Sequence, residues 1–162
     1  MLFRSVEAHG TDFGTRMQKM REQIEAMKEI WTKSTAEYHG DLVDFSPMMT
    51  WPKPVQKPHP PIIVGGAFHL AARRAIRYGD GILPVAPSAG SGSPEEFMPR
   101  LRQMAEEAGR DPQSLSVTLG GAPEDIDVLK RNRDLGVTRM NVRLPPAKEG
   151  EILPILIPQV AG

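Results

Sequence analysis

The 162-residue chain carries 20 basic and 20 acidic residues with no block of like charge, so it offers no electrostatic footprint for nucleic acid or an anionic membrane. It has no cysteine, which excludes disulfides, thiolate catalysis and iron–sulfur ligation and suits a reducing compartment. No apolar stretch approaches the roughly 20 residues of a membrane span, and Met1-Leu2-Phe3-Arg4-Ser5 does not read as a signal peptide. A cytoplasmic protein is expected.

The first element runs from about Asp12 to Lys33. Phe13, Met17, Met20, Ile24, Met27 and Trp31 recur at alternating steps of four and three, which predicts one apolar helical stripe packed into a core. Thr11 or Asp12 can cap its start. Residues 36–61 then read as a small hairpin, with Tyr38 on one side and Val43 and Phe45 on the other side of Gly40-Asp41, followed by the Pro-rich connector Trp51–Pro61. Proline fixes φ and disfavours helix before it, so the connector is a stiff extended crossover.

Residues 62–144 hold four short apolar runs, three of them followed by a helix-like segment. The runs are Ile62–Val64, Ile82–Val85, Leu115–Leu119 and Met140–Leu144. Strands alternating with helices imply parallel strands joined by crossovers. Ser93-Pro94-Glu95-Glu96 carries a capping-box pair with proline at the first helical position, and the helix it opens is expected to bury Phe97, Leu101, Met104, Ala105 and Ala108. Gly120-Gly121-Ala122-Pro123 opens another helix, ending near Gly136. The tail, 145–162, is apolar but interrupted by prolines. Since a complete eight-stranded barrel takes about 250 residues, the fold class is α/β, a partial TIM (β/α)8 barrel preceded by a helix and hairpin insertion, in one domain.

In that architecture ligands meet the C-terminal ends of the strands. Two strand ends carry Gly-Gly, at Gly65-Gly66 and Gly120-Gly121. Glycine admits close backbone approach, and a following helix N-terminus favours phosphate; the same glycines also serve as plain tight turns. His9, His39, His59 and His69 match no zinc spacing, so no metal site is expected. Arg73, Arg74 and Arg77 read as a solvated face, Glu95-Glu96 as a complement to the helix dipole, and Asp80 as a turn or a structural hydrogen bond. The residues by themselves disclose no reaction.

A series of motifs nevertheless runs in order along the chain: His9-Gly10-Thr11-Asp12-Phe13, Met27–Thr32, Tyr38-His39-Gly40, Pro52–Ile62, Val64-Gly65-Gly66, Arg73-Arg74-Ala75, Tyr78-Gly79-Asp80-Gly81 and Ala105–Pro112. The series resembles the C-terminal portion of the bacterial luciferase-like monooxygenases, particularly the branch of F-420-dependent oxidoreductases. The resemblance implies a TIM barrel of which these are strands five to eight, and a flavin-type cofactor, F-420 in preference to FMN, with a small organic substrate. It carries over Gly65, Gly66 and, beside them, Ala67 as cofactor-binding positions on the ribityl-phosphate side. It also implies that the ring-contacting residues, and the catalytic His, Trp and Glu positions of F-420-dependent relatives, belong to the other half of the barrel, so no residue here inherits those roles.

Two readings follow. One is a truncated luciferase-like oxidoreductase or one part of an assembled enzyme; the other is a non-catalytic half-barrel scaffold or phosphate-binding module. Half a barrel leaves strand edges and interior side chains exposed, which predicts a homo-oligomer or pairing with a complementary half barrel.

Overall fold

The computed structural model describes residues 7–85, 91–122 and 125–142. The chain divides into two compact units, residues 1–61 and 62–162.

In the first unit, helix α1 spans Arg16–Thr32. It starts later than Asp12 because the Asp12 carboxylate accepts from the Gly14 and Thr15 amides at 2.6 and 3.2 Å, forming a turn ahead of the helix. Strands β1 (Ala36–His39) and β2 (Asp44–Met48) form the antiparallel hairpin, with Tyr38 opposite Phe45. The expected apolar stripe is buried only in part. Ile24 is buried, but Met17 and Met27 are exposed, while Glu22 and Ala26 from outside the stripe are buried.

The reason is polar. The Glu22 carboxylate accepts from the Leu42 and Val43 amides at 2.7 and 3.0 Å and from Gln18 Nε2 at 2.9 Å, closing the hairpin turn. The Leu42 amide is the chief influence holding its pKa below the usual carboxylate range. Beside it the Tyr38 hydroxyl donates to Glu25 at 2.6 Å, and burial together with that acceptor pushes the phenol up to about 12.

The second unit is a parallel sheet in the order β3–β4–β5–β6, made of β3 (Ile63–Gly66), β4 (Gly81–Pro84), β5 (Ser116–Gly120) and β6 (Arg139–Asn141). The crossovers carry α2 (Phe68–Tyr78), α3 (Pro94–Glu107) and α4 (Ile126–Leu135). The short strands are apolar because helices cover them. Ile82 and Val117 are buried on the strands and Ala71, Ala72, Ala75, Phe97 and Leu101 on the helices, and the Phe68 and Phe97 rings stack at 5.3 Å. Small alanines let α2 lie close to the sheet. Of the residues expected to be buried on α3, Met104 is half-buried and Ala108 is exposed, and Met98 takes the core position instead.

The last helix begins at Ile126, capped by Asp125, rather than at the Gly-Gly turn. Arg143 and Leu144 of the fourth run, most of the loop 86–93 and the tail 145–162 lie outside the described residues.

The N-terminal end of this sheet is tied by Asp80. Its carboxylate accepts from the Ile62 amide at 2.8 Å, and its carbonyl accepts from the Ser116 amide at 3.0 Å and the Ser116 hydroxyl at 3.2 Å. Gly81 sits where a Cβ would overlap Ser116, so β4 and β5 approach only because this residue has no side chain. The Arg110 guanidinium donates to the Ala75 and Ile76 carbonyls at 2.7 and 3.0 Å, capping the end of α2. None of the described helices is long and apolar enough to cross a membrane.

Candidate functional site

A concavity of about 700 Å³ opens at the C-terminal ends of the four parallel strands. Gly65 and Gly66 end β3, Leu83 and Pro84 end β4, and Leu119, Gly120 and Gly121 end β5 on its wall, with Met140 from β6 beside them. Phe97 of α3 and Val128 and Asn132 of α4 complete it. The volume is that of a small-molecule or cofactor site, and its place is where a parallel α/β sheet binds ligands. Of the three residues the sequence singles out, Gly65 and Gly66 line the concavity, whereas Ala67 lies next to it as the residue before α2.

The two Gly-Gly pairs, far apart in sequence, meet at this one site and differ in what their backbone offers. The Gly121 and Ala122 amides both donate to the Asn141 carbonyl, at 3.0 and 2.8 Å, so that turn is spent on joining β5 to β6. Gly66 adopts φ +130, a conformation side-chain-bearing residues rarely take, and hands the chain directly to α2. A Cβ at Gly65 would meet only the Leu83 carbonyl, at 3.8 Å, an ordinary contact distance.

The helix ends around the site also differ. At α3 the Ser93 amide donates to Glu96 at 3.2 Å, and Glu95 and Glu96 both stand in the first turn. The Glu95 carboxyl is held below its usual range by its own backbone amide and by the Ser93 hydroxyl. At α4 the Asp125 carboxylate accepts from the Asp127 and Val128 amides at 2.8 and 3.4 Å. Of these three helices, α2 alone has neither a side-chain cap nor an acidic residue in its first turn. Its leading amides are free of carboxylate competition and carry the positive end of the helix dipole. Arg74 adds charge here: its Nη1 lies 4.0 Å from the position a Gly66 Cβ would occupy, since helical side chains lean back toward the N-terminus. These features fit a phosphate group.

The remaining titratable groups lie elsewhere. The His39 Nδ1–H donates to the Asp44 carboxylate at 2.7 Å on the exposed hairpin, and that hydrogen bond raises the imidazole pKa. Among the described residues no group of three or more His, Asp or Glu side chains is placed to hold a metal ion. Sequence reasoning missed Asn132, because a lone asparagine within a helix carries no motif. It discounted Arg74, whose neighbour Gly66 is eight positions away.

The chain belongs to the luciferase-like monooxygenase family, whose model matches residues 4–123. It is 36% identical over 144 residues to an uncharacterized protein of Mycobacterium tuberculosis, an alignment covering 85% of this chain and 47% of the relative. It is 36% identical over 78 residues to an FMNH(2)-dependent dimethylsulfone monooxygenase of Pseudomonas putida, covering 48% of this chain and 22% of that enzyme. A third relative, an F-420-dependent glucose-6-phosphate dehydrogenase of Segniliparus rotundus, is 28% identical over 100 residues, or 62% of this chain and 29% of the relative. The crystal structure of the monooxygenase RslO1 from Streptomyces bottropensis superposes with a TM-score of 0.59 at 20% identity, covering 81% of this chain and 41% of that one, which establishes likeness of fold. The chain spans about half the length of the Mycobacterium tuberculosis relative.

Proposed function

We propose that this chain supplies the phosphate-holding side of a luciferase-like oxidoreductase that works in the cytoplasm with a flavin-type cofactor. F-420 is the cofactor the motif series favours, FMN the alternative, and the named relatives include one of each kind. In this reading β3 to β6 are the fifth to eighth strands of a TIM barrel. Gly65, Gly66 and Ala67 bring the backbone against the cofactor's phosphate, and the first amides of α2 hold it. The observation that carries the reading is the contrast at the strand ends: three helices start there, and α2, which follows Gly65-Gly66, is the one left without a carboxylate cap.

When bound, the reduced cofactor supplies the hydride or the electrons for oxygen; the residues on this chain bind and orient it. The ring-facing wall and the proton-transfer groups come from the remaining strands. Among the described strands, β3 and β6 each have a single strand neighbour, so both edges are open to pairing. Further sequence of the same protein, a separate complementary half barrel or a second copy of this chain completes the barrel.

Titration of the purified protein with FMN and with F-420, followed by cofactor fluorescence, tests the reading. A saturable change for at least one of them is expected, and riboflavin, which lacks the phosphate, should bind more weakly than FMN. No change at millimolar concentration of either cofactor overturns it.

A further inference from the structure

Asn132 is the sole polar side chain among the described residues that line the concavity, and none of those residues is charged. It lies on α4 and is only 6% exposed. Its carboxamide nitrogen reaches one partner, the Met140 thioether, at 3.7 Å. Sulfur is a weak acceptor and a thioether has no proton to give, so the carboxamide oxygen has no hydrogen-bond partner among the described residues. Turning the amide over does not help, since the second orientation leaves two donors facing the same apolar wall. The oxygen is not among the fully buried unpartnered atoms, so it keeps contact with solvent on the cavity wall, where the donor of a ligand can take the place of water.

We propose that Asn132 is a specificity-determining residue that reads a single O–H or N–H donor on an otherwise apolar, uncharged organic molecule. Away from the phosphate end at Gly66 and Arg74, the wall of Phe97, Leu119, Val128, Asn132 and Met140 carries no charged side chain, so it suits an uncharged group. The donor of the ligand meets the carboxamide oxygen, and its apolar body lies against the wall. A site built this way separates an alcohol from its methyl ether strongly, because the ether leaves the carboxamide unpaired. The assignment deepens the proposed function by naming the class of organic substrate, whereas the phosphate end of the site concerns the cofactor.

The test compares β-naphthol and its methyl ether as probes, with dissociation constants from proton–nitrogen correlation spectra that include the Asn132 side-chain amide pair. Wild-type protein should bind the alcohol about tenfold more tightly than the ether and show the Asn132 amide pair moving with the alcohol. Asn132→Leu should bind alcohol and ether equally, with an unfolding midpoint close to wild type, because at similar volume it removes only the weak contact to the Met140 thioether. Equal wild-type affinity for alcohol and ether, or binding of neither at millimolar concentration, overturns the assignment, and that comparison needs no variant. FMN binding without this discrimination defeats the Asn132 assignment alone. Discrimination without phosphate-dependent FMN binding defeats the cofactor reading alone.

Discussion

The two ends of the parallel sheet handle their polar groups in opposite ways. At the N-terminal end Asp80 occupies the Ile62 amide and both polar groups of Ser116 that face it, and Arg110 covers the last carbonyls of α2. At the C-terminal end Gly65 and Gly66 line a concavity, and α2 starts beside it with no side-chain cap. One end closes its hydrogen-bond accounting and holds the strands in register; the other leaves donors open and so can bind. Stability and binding should therefore respond to different residues.

Substitutions at the closed end should cost the most stability. Gly81→Val drives a side chain into Ser116 and should remove about 3 kcal/mol or more, read as a collapse of the urea midpoint. Asp80→Ala leaves the Ile62 amide unpaired and should cost about 1–3 kcal/mol, with FMN affinity retained wherever the protein stays folded. A loss of FMN binding in folded Asp80→Ala would blur the distinction between the ends.

At the open end the effect should appear in binding first. Gly66→Ala forces a side chain onto φ +130, at a cost of about 1–2 kcal/mol, and should weaken FMN more than riboflavin. Arg74→Ala should leave the unfolding midpoint unchanged and weaken FMN about tenfold, with riboflavin unaffected, as expected for a charge-assisted contact to phosphate. Equal loss for both ligands would remove Arg74 from the phosphate site.

The smallest expected effect lies outside the sheet, in the hairpin unit. The folded pKa of Glu22 is depressed, so its contribution to stability is present above the ordinary carboxylate range and is lost as pH falls through the folded value. Both tryptophans, Trp31 and Trp51, belong to this unit. Their emission should report loosening in acid, and Glu22→Gln should flatten that limb.

Strand and helix order was legible in the sequence because buried parallel strands must be apolar and their crossovers must be helical. The capping box at Ser93 and the glycine-ended helices reflect local chemistry, which local sequence carries. Burial on α1 was not legible: Met17 and Glu22 exchanged the places that periodicity assigns them, because three donors from Gln18 and the hairpin turn make a buried carboxylate tolerable. The site was half legible. Gly65 and Gly66 announce a strand end, but their difference from Gly120 and Gly121 rests on the Asn141 carbonyl, a partner set by sheet pairing. Asn132 gained meaning only once α4 placed it on the concavity wall.

Backbone amide shifts on adding FMN, compared residue by residue with those on adding riboflavin, test the division between the two ends most directly. The account predicts that the shifts unique to FMN centre on Gly66, Ala67 and Phe68, with Asp80, Gly81 and Ser116 unmoved. Phosphate-dependent shifts centred on Asp80 and Ser116, or spread evenly over both ends of the sheet, would contradict it.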